Sequence, residues 1–121
     1  MPHRDQFIDP SVVNPGLRTD STRRIAVYTG IAGGMYLHAN WTLAGGSGPR
    51  EVSIPVIFPQ PYREVPQVMI GNVSTDSEPG LGLRLNASVD ELTTTGFILN
   101  IRTWGDSLIH SAFYTWMAVG Q

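Results

Sequence analysis

From Arg24 onward apolar residues recur at every second position, run after run, and this feature narrows the possible folds more than any other. Successive side chains of a strand point to opposite faces, so such a run has one dry face and one wet face. In residues 51–58, Val52, Ile54, Val56 and Phe58 share a face, with Ser53 and Pro55 opposite. Pro55 has no N–H to give to a ladder, so this run belongs at a sheet edge or a bulge. Residues 67–73 read as a further strand. In residues 81–89, Leu81, Leu83, Leu85, Ala87 and Val89 are expected to face inward and Gly82, Arg84, Asn86 and Ser88 outward. Residues 97–104 put Phe97, Leu99 and Ile101 toward a core, with Asn100, Arg102 and Trp104 on the other side. Residues 109–119 put Ile109, Phe113, Met117 and Val119 on one face and His110, Tyr114 and Trp116 on the other. Turn-forming clusters separate the runs at 45–48, 78–80 and 105–107. No stretch carries a helical period. The expected fold is all-β: an antiparallel β-sandwich of six to seven strands.

The last run has large side chains on both faces, although a sandwich needs only one face buried. Tyr114 and Trp116 are therefore expected to meet a second surface, either a neighbouring subunit or an N-terminal arm folded back over it. Residues 1–22 are polar and broken by prolines, and read as an extended arm preceding a sandwich domain at 23–121. Such an arm offers an attachment to a larger assembly.

Composition excludes several function classes. The 121 residues suit one domain, and 41% apolar content is ordinary for a globular chain. The net charge of −2 gives no electrostatic case for nucleic acid. All eight basic residues are Arg, which suits fixed bidentate contacts but is explained more simply by codon usage. With no cysteine there is neither a disulfide framework nor a thiolate metal site. No apolar run reaches membrane-spanning length, and the N-terminus lacks the apolar segment of a signal peptide. The expectation is cytoplasmic synthesis without membrane insertion, followed by virion association or release. His3, His38 and His110 are scattered without metal-ligand spacing. Asp76 with Glu78, and Asp90 with Glu91, read as solvated turn acids. The glycine run at 45–48 is not followed by the Lys of a phosphate loop. The expectation is a protein that is not an enzyme and needs no cofactor or metal.

A binding site has more support. Arg84 and Arg102 lie on the polar faces of expected strands, and Trp104 ends one of them beside a Gly-Asp-Ser turn. An indole face beside directed N–H donors suits a sugar, which has an apolar C–H face and a rim of hydroxyls. Spacing alone favours a core or interface anchor for Trp104 over a binding platform.

One ordered set of residues carries a family resemblance. It comprises Phe58 and Pro61-Tyr62, Pro66 leading into 68–73, Asp76, Leu83-Arg84, Thr95-Gly96-Phe97, Thr103-Trp104, Ser111 and Trp116. In order and spacing these residues resemble the H-type lectin family of the snail agglutinin kind; residues 1–35 lie outside the resemblance. It implies a homotrimeric β-sandwich that binds N-acetylgalactosamine or related sugars near subunit interfaces. Position by position it implies sugar-binding roles for Arg84, Trp104 and Gly105, and for Gly45, Gly46 and Ser47 of a loop lent by the neighbouring protomer. Two positions depart: Gly105 stands where the snail type has histidine, and Ser47 where it has a loop aspartate. The implied function is recognition of a cell-surface glycan or polysaccharide, as in cell adhesion, by a symmetric oligomer. The alternative is a structural spike or fibre part of a phage-like particle, anchored through residues 1–22.

Overall fold

In the computed structural model the described residues are 6–8 and 24–121. They form β1 (Gln6–Ile8), β2 (Ile25–Met35), β3 (Arg50–Ile57), β4 (Gln67–Ser77), β5 (Asn86–Asp90), β6 (Gly96–Thr103) and β7 (Ile109–Gly120). All pairing is antiparallel, in a four-stranded sheet of order β1-β2-β7-β4 and a three-stranded sheet of order β3-β6-β5. The expected β-sandwich is the observed one. Of the arm expected over residues 1–22, only β1 falls within the described residues, where its backbone pairs with Ile25–Val27 at the edge of the larger sheet. The remainder of that expectation lies outside them.

The core forms where the inward faces meet. Val52, Val56, Phe97, Leu99 and Ile101 are buried, as the alternation requires, and β3 is an edge strand, as Pro55 requires. Aromatic rings fill the centre in edge-to-face contacts: Phe58 with Tyr62 at 5.3 Å, and Phe97 with Trp116 at 5.7 Å. The Tyr62 hydroxyl lies 3.0 Å from the carbonyls of both Ala26 and Ala118, sharing its proton between β2 and β7. Phe58, Tyr62, Phe97 and Trp116, which carry much of the family resemblance, therefore build the scaffold.

Two expectations about facing are corrected. On β7 the buried set is Ile109, Ala112, Tyr114, Trp116 and Ala118, so Ile109 faces inward as expected, while Met117 is 39% exposed. Tyr114 and Trp116 face the core, where Trp116 also packs against Phe58 at 5.9 Å. The outward surface of the larger sheet is apolar instead: Met69 and Met117 are cross-strand partners, and Ile31 lies one row along. The second correction concerns 81–89, of which only Asn86–Asp90 is strand. Leu81 and Leu83 are 37% and 59% exposed, because the β5–β6 ladder ends at the Asn86–Arg102 pair and does not extend to them.

The chain passes between the sheets in the β2–β3, β3–β4, β4–β5 and β6–β7 connections, and all of these but β3–β4 meet at one end. Ile109 N–H donates to Leu43 O at 2.8 Å, and Glu78 N–H to Leu108 O at 2.9 Å. The candidate site sits where they converge.

Candidate functional site

Arg84 does not lie on a strand; two buried hydroxyls hold it. Ser107 is fully buried and accepts from Arg84 N–H at 3.1 Å and from Arg84 Nη1 at 3.3 Å, while its own hydroxyl donates to Gly82 O. Thr103 Oγ1, also buried, donates to Arg84 O at 2.5 Å. A buried hydroxyl needs its bonds made, and here making them nails residues 82–84 to the turn after β6. The guanidinium then reaches Asp106, with Nη1 2.7 Å from Oδ1. Asp106, Ser107 and Thr103 were given no site role from the sequence, although Thr103 belongs to the resemblance and Asp106 and Ser107 to the turn beside Trp104.

Trp104 lies immediately after β6 and is 44% exposed. Its ring meets no aromatic or cationic partner among the described residues, so the reading of Trp104 as a core anchor does not hold within one chain. Gly105 follows with φ of 67°, in the left-handed region that favours glycine. A Cβ there would also come within 3.3 Å of the Arg84 side chain. The glycine at this position thus leaves room for the arginine beside it.

Gly45, Gly46 and Ser47 are exposed in the β2–β3 connection. The structure brings this loop to the same rim: Gly48 N–H donates to Gly105 O at 2.8 Å. Within a single chain, then, the 45–48 loop and the 104–107 turn already adjoin. Arg50 reaches both, a residue missed in the sequence because nothing in a strand's first position signals a contact across the rim.

Arg102 does not join this group. It crosses the outer face of the smaller sheet, bonding Ser88 Oγ at 3.0 Å and lying 3.3 Å from Asp90 and 3.5 Å from Glu51. His110 pairs with Glu78 at 3.0 Å. Among the described residues no group of three or more His, Cys, Asp or Glu could hold a metal ion. A cleft of about 290 Å³ lies elsewhere, in the open seam between β2 and β3, lined by Gly34, His38, Trp41 and Pro55 among others.

The rim therefore combines an exposed indole face, a forked cation, a carboxylate and exposed backbone of a glycine loop. It can offer N–H donors, charged acceptors and an apolar face within one shallow surface.

Comparison with known proteins agrees with this architecture. The H-type lectin domain family matches residues 53–119. A protein of Fuscovulum blasticum called ATP synthase subunits region ORF 7 is 34% identical over 81 residues, covering 67% of this chain and 68% of that protein. Discoidin-2 of Dictyostelium discoideum is 32% identical over 79 residues, covering 64% of this chain and 31% of that protein. The native structure of recombinant discoidin II superposes with a TM-score of 0.72 at 27% identity, covering 86% of this chain. The chain spans 40% of the discoidin II chain. With the family's domain matched over more than half its length, and with the sandwich that the match requires, this chain belongs to the H-type lectin domain family.

Proposed function

We propose that the domain binds glycans through the rim formed by Arg84, Trp104 and Asp106, with the 45–48 loop as its second wall. The observation that carries this reading is the Arg84–Asp106 pair at 2.7 Å beside the exposed Trp104. A pyranose presents vicinal hydroxyls, each able to donate and accept. An arginine and a carboxylate held side by side meet that pattern with charge-assisted bonds, and an indole face takes the C–H surface. Asp106, next to Gly105, supplies a charged acceptor in place of the loop aspartate that Ser47 replaces relative to the snail type. Monosaccharide affinity at an open rim is modest, and clustered sites gain avidity.

The domain is read as a homotrimer that associates through the outer surface of the larger sheet. The support is the apolar character of that surface, with Ile31 68% and Met69 56% exposed in the single chain. Exposed apolar area of this kind is expected at an interface between copies.

A glycan array probed with the purified protein, and repeated with Trp104→Ala, Arg84→Ala and Asp106→Ala, tests the proposal. Binding by the wild type that is lost in the variants is the expected result. A folded, correctly assembled wild type that binds no glycan would overturn it.

A further inference from the structure

Four backbone carbonyls converge on one side chain at the rim. Arg50, the first residue of β3, donates from Nε to Gly48 O at 2.9 Å and from Nη1 to Gly45 O at 2.6 Å. Its Nη2 donates to Gly105 O at 3.2 Å and to Ser107 O at 2.8 Å. Of the five N–H donors of a guanidinium, four are thereby spent on main-chain oxygens. Two of those oxygens belong to the 45–48 loop and two to the 104–107 turn. Gly48 and Gly105, with φ of 74° and 67°, are both in the left-handed region. The turns they make direct their carbonyls toward Arg50.

The loop has little else to hold it. Gly45, Gly46 and Ser47 are exposed, and a Cβ on Gly45 or Gly48 would meet nothing within 4 Å. Apart from Arg50, the described tie across the rim is the single bond from Gly48 N–H to Gly105 O. A glycine-rich loop has more backbone freedom to lose than any other, so its shape depends on its tethers.

We infer that Arg50 is a positioning residue of the glycan site: it clamps the loop wall against the Trp104 turn and so sets the width between them. The inference rests on reading Trp104, Arg84 and Asp106 as that site. Arg50 is assigned no sugar contact, since four of its five donors are already engaged by main-chain oxygens. The two arginines divide the work, with Arg84 facing outward beside Asp106 and Arg50 reading only backbone. Lysine cannot replace Arg50, because one ammonium nitrogen with three donors does not span carbonyls arranged around a planar fork.

The test compares the wild-type chain with Arg50→Lys, Arg50→Met and a control, Arg63→Met, on the β3–β4 connection. Two readouts need no sugar: hydrogen exchange at the Gly48 amide, and the emission wavelength and acrylamide quenching of Trp104, taken as the difference from the matching Trp104→Phe chain because Trp41 and Trp116 also emit. The third is affinity for surfaces carrying N-acetylgalactosamine-terminated glycans. Both Arg50 variants are expected to keep the β-sheet circular dichroism while Gly48 exchanges faster and Trp104 emission shifts. Glycan affinity is expected to fall about tenfold or more, with no rescue by lysine, as for lost hydrogen bonds to a charged donor. Should Arg50→Met fail to fold, Arg50→Lys carries the comparison. Unchanged Gly48 exchange and Trp104 emission in a folded variant would overturn the clamp, as would unchanged affinity despite altered exchange. If the wild type binds no glycan, the sugar-site reading falls, and exchange and emission still decide whether Arg50 clamps the loop.

Discussion

Arg84 and Asp106 face each other at 2.7 Å, Nη1 to Oδ1, on side chains that remain 39% and 64% exposed. At that exposure the pair adds little to stability, about 0–1 kcal/mol before solvent screening reduces it. In the proposed glycan site its contribution to binding is expected to be larger, because a bound sugar would shield it from water. Asp106→Asn keeps the shape and removes the charge. Calorimetric titration with the best ligand from the array is expected to show a loss of about 1.5–3 kcal/mol, or roughly ten- to hundredfold in affinity. Thermal unfolding of the same variant should shift little; a large drop in Tm would mean that the pair is structural.

Trp104 and Trp116 are expected to respond to truncation in opposite ways. Trp116 is 4% exposed and packed among Phe58 and Phe97, so Trp116→Ala removes about 3–5 kcal/mol of stability. Trp104→Ala removes a ring that is 44% exposed, and is expected to abolish glycan binding with a much smaller effect on denaturant unfolding. Equal destabilisation by the two would place Trp104 in the scaffold.

Gly30 lies opposite Trp116 in the β2–β7 register, and a Cβ added there would sit 2.6 Å from the indole nitrogen. Gly30→Ala therefore forces one of the two core tryptophans to move. Overpacking of this kind costs about 1–3 kcal/mol, readable as a shift of the urea midpoint. Gly71→Ala is the control, since its Cβ would meet only the Thr115 methyl at 3.7 Å.

Tyr114 gives the fold an alkaline limit. Burial raises its phenol above the ordinary 10.0, with the Asn72 side chain pulling weakly the other way. The folded state therefore holds this proton more tightly than the unfolded chain does. The resulting stability is full below the unfolded value of about 10 and is lost as pH rises through the higher folded value. Unfolding followed from pH 8 upward is expected to show a decline above about pH 10 that is reduced in Tyr114→Phe. A Tyr114→Phe variant with the same alkaline decline would assign it to other groups.

Charge on the outer surface of the larger sheet tests the oligomer. Met117→Glu and Ile31→Glu place carboxylates on exposed apolar positions, which a folded single chain tolerates and a buried interface does not. Light scattering is expected to show a trimer for the wild type and monomers for the variants. An unchanged mass would remove this surface from the interface.

Much of the fold is legible in the amino-acid order alone. Val52, Val56, Phe97, Leu99 and Ile101 recur at every second position within their runs, which puts each set on one face, and Pro55 restricts its strand to an edge. The same reasoning fails on β7 and at 81–85 for an identifiable cause. Both alternating sets of β7 are apolar, so local pattern cannot choose between them. The choice falls to packing: Tyr114 and Trp116 turn inward, where Trp116 finds Phe58, Phe97 and the space over Gly30, while Phe113 and Met117 turn outward. Leu81 and Leu83 alternate properly yet lack a partner strand, and alternation without a ladder buries nothing. The site divides in the same way. Arg84, Trp104 and the 45–48 loop stand out as residue types, but their union depends on Ser107, Thr103 and Arg50, which act across 19 to 57 residues of chain. A hydrogen bond between positions so far apart leaves no local pattern. It exists only once the two sheets have packed and their connections have been brought to one end.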